Sequence, residues 1–385
     1  MQGRAAVVGV GESTYYKRGD SPDSEFVLGC TAIRRAVEDA GLSLSEVDGL
    51  VSFMDTRNDP LRVSVALGFR ELRFSAQPWG GGGNGMAAAV ALADAAVTAG
   101  YARNVVVFRA LAQGQFGRFG RAATGSRIPG TAAYTAIYGL LSPAQICAMQ
   151  TARFMHEYGI DHEALAEIAL ACYAHAQSNP RAIRHGTPLT REQYHASRWI
   201  VEPFHLFDCC PENDGAAAIV VTSFERARDL RCKPVPVLAA AQGLGHRGGA
   251  AAFNEPDFPT AHYKEVGRQI WERSGVSPED VDVAQFYENF TGPVLMAMSE
   301  MGFAPPDGIA EFVADGALQG PDAKLCFNTS GGNLAEAYIH GLELVNEAVR
   351  QVRGESTMQA PRVDLSLCVA GPGFAPGSAV LFSAP

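Results

Sequence analysis

This sequence of 385 residues lacks several features that would place it in common functional classes. None of its eight cysteines forms a CxxC pair, and HEYGIDH (156–162) does not have the HExxH spacing, so neither pattern supports a metal site. It has no run of about 18 apolar residues, so we expect no membrane insertion. The N-terminal MQGRAAVVGVGEST lacks the pattern of a signal peptide, so we expect a cytoplasmic location with reduced thiols.

Positive charge is also scarce. The chain has 31 Lys and Arg residues against 41 Asp and Glu, for a net charge of −10, which argues against nucleic-acid binding. Only 19% of the residues are charged, whereas 47% are hydrophobic. A low charged fraction is typical of a chain that covers part of its surface with a partner.

Short apolar runs alternate with helical patterns in the first part of the chain. Residues 5–11, 47–53 and 104–111 predict buried strands, and 24–41 and 83–100 predict helices that end at glycine. This alternation indicates a layered α/β sheet. The sequence GVGEST lacks the third glycine of a dinucleotide-binding fingerprint.

The pattern starts again near Pro234. Residues 235–243 predict a strand, 261–275 a helix, 332–354 one continuous helix, and 362–385 two closing strands. We therefore expect a second unit of the same α/β class.

Two stretches of sequence indicate that the second unit duplicates the first. DAGLSLSEVDGLV (39–51) and RSGVSPEDVDVAQF (273–286) both run from a helix end through glycine and a short turn to Asp and a strand. Because this period is too long for a solenoid, we predict two α/β halves, 1–230 and 231–385. The first half includes a loop or lid region at about 112–200.

Within that region, residues 112–142 mix Gly, Arg and aromatic residues without periodicity. A long irregular segment in a compact protein is typical of a lid or binding loop, and packing on a partner subunit is an equal alternative. Residues 145–185 predict two consecutive helices.

Several motifs together resemble the thiolase superfamily over essentially the whole chain, with the sterol-carrier-type, lipid-transfer-protein branch nearest. They are residues 179–223 with DGAAA (214–218), NTSGG (328–332) and CVAGPG (368–373). The resemblance implies two duplicated α/β halves in a five-layer α-β-α-β-α arrangement. It also implies a homodimer and acyl-CoA substrates.

The chain departs from a working thiolase at the catalytic positions. The nucleophilic cysteine at the start of the helix GGGGNGMAAAV corresponds to about Gly82. The histidine of the branch's His-Asp-Cys-Phe loop corresponds to Tyr287, and the histidine of its His-Pro pair corresponds to Tyr338. The late cysteine, Cys368, remains.

Tyrosine at both histidine positions resembles the thiolase-like aldolases of steroid side-chain degradation. That resemblance implies retro-aldol cleavage of a β-hydroxyacyl-CoA, which releases a ketone and a short acyl-CoA such as propionyl-CoA. It also implies a separate small OB-fold partner with a zinc ribbon, giving a heterotetramer. In this chain we expect no cofactor, with coenzyme A present as part of the substrate and zinc confined to the partner.

Retro-aldol chemistry needs a base for the hydroxyl proton, donors for the enolate and an acid for the α-carbon. We predict that Tyr287 and Tyr338 are the acid/base pair, without dividing their roles. An unassisted tyrosinate at neutral pH is about 4 kcal/mol uphill. Candidates for support are Cys368, Glu288 and Asn289, and candidates for the oxyanion or coenzyme A site are Gly82, Gly83, Gly331, Gly332 and Gly371.

Two alternative functions stay open. A thiolase-like acyl transferase or condensing enzyme would use Cys368 as its nucleophile, and an acyl-CoA or lipid carrier would need no catalysis. By pattern alone, each tyrosine is a half-buried aromatic and Cys368 is a small buried hydrophobe. The tetraglycine at 80–83 fits either a phosphate cradle or close packing of helix and sheet.

Overall fold

The computed structural model describes residues 5–55, 57–80, 82–118, 127–128, 130–248, 255 and 257–385. The strands within them are β1 (Ala5–Glu12), β2 (Tyr16–Lys17), β3 (Gly49–Val51), β4 (Phe74–Ala76), β5 (Asn104–Ala112), β6 (Trp199–Val201), β7 (Phe204–His205), β8 (Asn213–Ser223), β9 (Val235–Gly243), β10 (Val283–Phe286), β11 (Cys326–Phe327), β12 (Leu365–Val369) and β13 (Gly377–Ser383). The helices are α1 (Glu25–Asp39), α2 (Pro60–Leu67), α3 (Met86–Thr98), α4 (Ala133–Ala136), α5 (Pro143–Tyr158), α6 (His162–Ala176), α7 (Arg191–Ala196), α8 (Phe224–Ala227), α9 (Lys264–Ser274), α10 (Thr291–Glu300), α11 (Ile309–Val313), α12 (Gly332–Ala335) and α13 (Leu342–Arg353).

The main sheet repeats one strand order. Its first part runs β4-β3-β5-β8-β1, and its second runs β11-β10-β12-β13-β9. In each part the first three strands are parallel and the last two are antiparallel. Strands β1 and β9 meet antiparallel at the centre. The duplication predicted from two sequence stretches is therefore present in the topology, while the boundary at residue 230 stays a prediction.

The two matched stretches also repeat in local structure. After α1, Asp48 accepts hydrogen bonds from the backbone N–H groups of Arg103 and Asn104, next to the start of β5. After α9, Asp282 accepts hydrogen bonds from the N–H groups of Asp364 and Leu365, next to the start of β12. In both halves a carboxylate thus joins the ends of two parallel strands.

Helices cover both outer faces of the sheet and fill the space between its two parts. Helix α1 packs on the outer face of the first part, and α9 and α10 pack on that of the second. Helices α3 and α13 share one central core with strands of both parts. Alanine side chains make up much of the buried face of α3, which lets backbone layers approach closely. This packing produces the predicted α-β-α-β-α layers.

One element of the sequence-based prediction is wrong. Residues 332–354 do not form one helix, because the chain leaves helical geometry between α12 and α13. His340 and Gly341 have φ values of +53° and +86°, which lie in the left-handed region. That conformation cannot continue a right-handed helix. Because Tyr338 lies in this break, its side chain makes contacts that a continuous helix would not allow.

The region before β8 agrees in part with the prediction. The two helices expected within 145–185 are confirmed as α5 and α6. Of the expected loop at 112–142, residues 119–126 and 129 lie outside the described residues. The lid role of this loop stays a prediction.

Candidate active site

The structure brings the two predicted tyrosines into direct contact. The Tyr287 hydroxyl donates a hydrogen bond of 2.9 Å to the Tyr338 hydroxyl, although 51 residues separate them in the chain. Their ring centroids are 5.9 Å apart. The side chains are 2% and 8% exposed, so little solvent reaches them. The two hydroxyls are therefore already paired in an almost dry environment.

Tyr287 is held by a hydrogen bond at its backbone and by close contacts at its ring. It follows β10, and its backbone N–H donates to the carbonyl of Val369 at 2.9 Å. A Cβ atom at Gly83 would lie 2.0 Å from the Tyr287 ring, and one at Gly341 would lie 2.7 Å from it. A side chain at position 83 cannot share this space with the phenol.

Tyr338 lies in the loop that breaks the predicted helix. Its backbone N–H donates to Oδ1 of Asn213, at the start of β8. Two residues later, the His340 ring packs edge-on against the phenol, with ring centroids 5.3 Å apart. The backbone of Tyr338 is thus anchored to β8, and its phenol ring packs against an imidazole.

A buried charge network stands behind this loop, and the sequence prediction missed it. Arg109 in β5 donates from Nε to Nδ1 of His340 at 3.2 Å. Its Nη1 lies 3.3 Å from Oδ2 of Asp55. The signal in the sequence was a lone arginine in the apolar strand NVVVFRALA, because unpaired charges are rarely buried.

The electrostatic environment treats the two phenols differently. Burial raises the pKa of Tyr287, and so do Tyr338 and Cys210 nearby. Burial also raises the pKa of Tyr338, but the hydrogen bond from Tyr287 and the Arg109 cation oppose that rise. The pKa of both phenols lies above its usual value, and of the two Tyr338 ionises more readily.

Glu288 and Asn289 follow Tyr287 but lie apart from its hydroxyl. Burial raises the pKa of Glu288 from 4.5 to about 8. Its Oε1 accepts from the N–H of Leu334 at 3.1 Å. The carbonyl of Asn289 accepts from the N–H of Cys210, which packs beside both phenols. These contacts fit supporting roles that position the site.

The remaining predicted residues divide into two groups. Gly371 lies against the backbone of Gly83 and Asn84, at the start of α3. Gly82 is near Met54, where its N–H meets Sδ at 2.6 Å. In contrast, a Cβ at Gly332 would overlap Glu288, and one at Gly331 would press on α6, so these two glycines serve close packing.

Cys368 is not placed as a nucleophile. It is fully buried in the central core, and its thiol donates to the carbonyl of Leu344 at 3.5 Å. Burial raises the pKa of this thiol well above its usual value. These observations favour the interpretation of Cys368 as a small core residue.

Other kinds of site find little support in the described residues. They contain no group of three or more His, Cys, Asp or Glu side chains that could hold a metal. None of their helices is both long and apolar enough to cross a bilayer. A cavity of about 600 Å³ lies at the end of β1 and is lined by residues 12–17 and 180–183 with Asp20 and Arg35, not by the phenols.

The repeated strand order and the two central helices define a thiolase-type fold, in which paired phenols occupy the site. Residues 246–382 match the family model described as thiolase C-terminal domain-like. The chain is 39% identical, over 99% of its length and 98% of the relative's, to the steroid side-chain-cleaving aldolase of Thermomonospora curvata. It is also 39% identical, over 99% of its length and the whole relative, to the 17-hydroxy-3-oxo-4-pregnene-20-carboxyl-CoA lyase of Mycobacterium tuberculosis.

A solved structure gives the same result. The Ltp2-ChsH2(DUF35) aldolase superposes with a TM-score of 0.91 at 38% identity, and the match covers 100% of this chain and 98% of that chain. The chain belongs to the thiolase superfamily, within its group of steroid side-chain-cleaving aldolases.

Proposed function

We propose that this chain cleaves a β-hydroxyacyl-CoA with a steroid or similarly bulky side chain by a retro-aldol reaction. The products are a ketone on the ring system and a short acyl-CoA such as propionyl-CoA. The observation that carries the proposal is the 2.9 Å hydrogen bond between two buried phenols, one of which packs against Gly83 beside the position that corresponds to the thiolase cysteine. The names of the two full-length relatives support the same reaction class.

The proton steps balance within the phenol pair. Tyr338 in its ionised form takes the proton of the β-hydroxyl, the Cα–Cβ bond breaks, and the electron pair of that bond becomes the enolate of the acyl-CoA. The Tyr287 hydroxyl then gives its proton to Cα. Tyr338 finally returns a proton to Tyr287 through their shared hydrogen bond, so the site is reset without solvent.

The enolate oxygen needs hydrogen-bond donors. A 3-10 turn, Gly82–Gly85, leads directly into α3, and the N–H groups at the start of this turn have no preceding helical carbonyl to bond. Gly83 within the turn contacts the Tyr287 ring. The positive end of the helix dipole also favours an anion here. We assign this helix start, with Gly371 beside it, as the oxyanion site, which requires no metal in this chain.

The assembly we propose is a homodimer that binds a small OB-fold partner with a zinc ribbon. Strand β4 is the free edge of the first half of the sheet. Val65 on α2 and Trp79, which follows β4 in the chain, are 82% and 88% exposed, which is unusual for large apolar side chains. A second copy would cover this surface. The partner is supported by the solved relative, whose name joins Ltp2 to ChsH2(DUF35).

A cytoplasmic location fits the state of the cysteines. All eight are free thiols in the described structure. Proteins exported to oxidising compartments more often pair them.

Mass spectrometry tests the reaction directly. The chain, purified with its co-expressed partner, is incubated with a branched β-hydroxyacyl-CoA. We expect release of the ketone and the shorter acyl-CoA, and each of Tyr287→Phe and Tyr338→Phe should lower kcat about 100-fold or more, because each removes a proton-transfer step. Tyr194→Phe is the matched control, since this buried phenol donates to Asp208 outside the site.

Three outcomes would contradict the proposal. Full activity in both phenol variants would exclude the acid/base pair. A trappable acyl-enzyme that disappears in Cys368→Ala would favour the transferase. Binding of acyl-CoA without turnover, with the partner present, would favour the carrier.

A further inference from the structure

A buried arginine stands behind the phenol pair without contacting the hydroxyls. Arg109 is 1% exposed and is the largest fully buried side chain in the described residues. Its neighbours along β5 are apolar and also buried. Removing a cation from water costs several kcal/mol unless partners compensate for it. The partners of Arg109 therefore indicate what the charge does.

One partner is a carboxylate that is itself held rigidly. Asp55 lies 3.3 Å from Nη1 of Arg109. It also accepts hydrogen bonds from the backbone N–H groups of Arg57 and Asn58 at 3.0 and 2.9 Å. The ion pair is thus built from two groups with little freedom to move.

The other partner is the strained histidine of the Tyr338 loop. His340 has a φ of +53°, a conformation that glycine adopts at lower cost. Because its Nδ1 accepts the Nε–H of Arg109, its own proton is on Nε2. Burial lowers the pKa of His340, and Arg109 lowers it further, so the ring is neutral. A side chain kept in strained backbone at a candidate site is typical of a functional constraint.

We propose that Arg109, held between Asp55 and His340, is a positioning residue for Tyr338. It orients the imidazole that packs on the phenol ring, and it places a fixed positive charge beside the phenol pair. This inference rests on the proposed function, because it assigns the means by which Tyr338 becomes a base.

The groups that face Tyr338 come from several elements: Tyr287 after β10, Cys210 before β8, Glu343 on α13, Arg109 on β5, and His340 in its own loop. Burial raises the pKa of Glu343 well above its usual value, which disfavours its anion, and a Glu343 anion would raise the pKa of Tyr338 and oppose Arg109. Of these groups, Arg109 carries the charge that favours a phenolate.

A pair of Arg109 variants separates charge from geometry. In Arg109→Met the rising limb of the kcat–pH profile should move up by about one pH unit, a loss of about tenfold at neutral pH, because the phenolate has lost its cation. Arg109→Lys keeps the charge but not the bond to His340. We expect Arg109→Lys to leave the rising limb at the same pH and to lower kcat with little change in KM.

Removal of the Asp55 carboxylate should shift the kcat–pH profile in the opposite direction. In Asp55→Asn the cation is no longer balanced, so the rising limb should move to lower pH. A folding defect cannot produce opposite shifts in the two variants. Arg350→Met is the matched control, because it breaks another buried ion pair, with Glu12, and should lower stability without moving the limb.

A second readout does not depend on turnover. The ultraviolet absorbance of phenolate is titrated in the holo-assembly, with the same protein carrying Tyr338→Phe subtracted. We expect Arg109→Met to shift the Tyr338 titration upward and Asp55→Asn to shift it downward. Shifts of this kind in an assembly without aldolase activity would uphold the inference while the proposed function fails. Unmoved titrations in all folded variants would overturn the inference.

Discussion

The two halves of the molecule place an aromatic ring at the same point but use it differently. Counted from Asp48 and Asp282, Phe53 in the first half corresponds to Tyr287 in the second. Each ring follows a parallel strand and faces the start of α3, where Phe53 contacts Gly85 and Tyr287 contacts Gly83. Phe53 is fully buried and Tyr287 nearly so.

This difference shows how a duplicated frame acquires a single site. The repeated strands place both rings against glycines at the start of α3, and these contacts are ordinary packing. The Tyr287 ring adds an oxygen that reaches Tyr338, and Tyr338 lies in a loop between the central helices. Duplication therefore explains the position of the ring, while the Tyr287 hydroxyl and the break between α12 and α13 explain the contact between the two phenols.

The largest expected effect comes from filling the space beside Tyr287. Gly83→Ala should lower kcat at least about 100-fold and the free energy of unfolding by about 1–3 kcal/mol, because the new Cβ would overlap the ring at 2.0 Å. Steady-state kinetics and urea unfolding measure both quantities.

Two other glycines serve as controls for that variant. At Gly85 the nearest Phe53 atom would be 3.1 Å from a Cβ, so Gly85→Ala should lower stability less than Gly83→Ala. At Gly245 no atom lies within 4 Å, so Gly245→Ala should be neutral. Equal activity in Gly83→Ala and Gly245→Ala would contradict the assigned contact.

A smaller effect on stability is expected from changes at Met54 and Glu288, the residues that follow Phe53 and Tyr287. Met54 is 42% exposed, whereas Glu288 is fully buried and its pKa is raised to about 8. Because the unfolded carboxyl ionises near pH 4.5, Glu288 lowers stability as pH rises from about 4.5 to 8. Glu288→Gln should therefore raise the free energy of unfolding by about 1–3 kcal/mol at pH 8 and much less at pH 5.

Urea unfolding at the two pH values measures this difference. The sign is the informative part, since a carboxylate that is ionised in the folded state would give a loss at pH 8. Met54→Gln is the matched change in the first half and should show no pH dependence. A pH-independent result for Glu288→Gln would show that the buried carboxyl is not the titrating group.

The smallest effect should distinguish the two aspartates that join parallel strands. Asp48 is 5% exposed and accepts hydrogen bonds from two backbone N–H groups at the start of β5. Asp282 is more exposed and accepts hydrogen bonds from two backbone N–H groups at the start of β12. Asp48→Ala should cost about 1–3 kcal/mol of unfolding free energy and Asp282→Ala about 1 kcal/mol. A reversed order would show that the halves are less alike than their topology.

Much of the frame could be predicted from local patterns. Apolar runs located β1, β5 and β9, and glycine stops located the ends of α1 and α9. Burial on both faces makes such strands continuous in apolar residues, so the pattern survives without tertiary information. The two phenols could be predicted because they stand where the thiolase resemblance expects histidines.

The rest depended on contacts that local patterns do not encode. Residues 332–354 have helical periodicity, yet the helix is interrupted at His340. The His340 side chain accepts a hydrogen bond from Arg109, which is 231 positions away in sequence. Glycine patterns gave no means to separate Gly83, which faces a phenol, from Gly332, which faces Glu288. Periodicity measures the preference of a segment, and tertiary packing can outweigh it.

By itself, the sequence determined the α/β class, the duplicated order of elements and the loss of a cysteine nucleophile. The first two follow from residue type and spacing along the chain, and the third follows from the thiolase resemblance. The tertiary structure decided that the two hydroxyls meet, that one phenol lies near a buried cation, and that Cys368 points into the core. The physical reason is that pKa values and hydrogen bonds depend on distance in space, and the residues that set them here come from β5, β10 and the loop before α13.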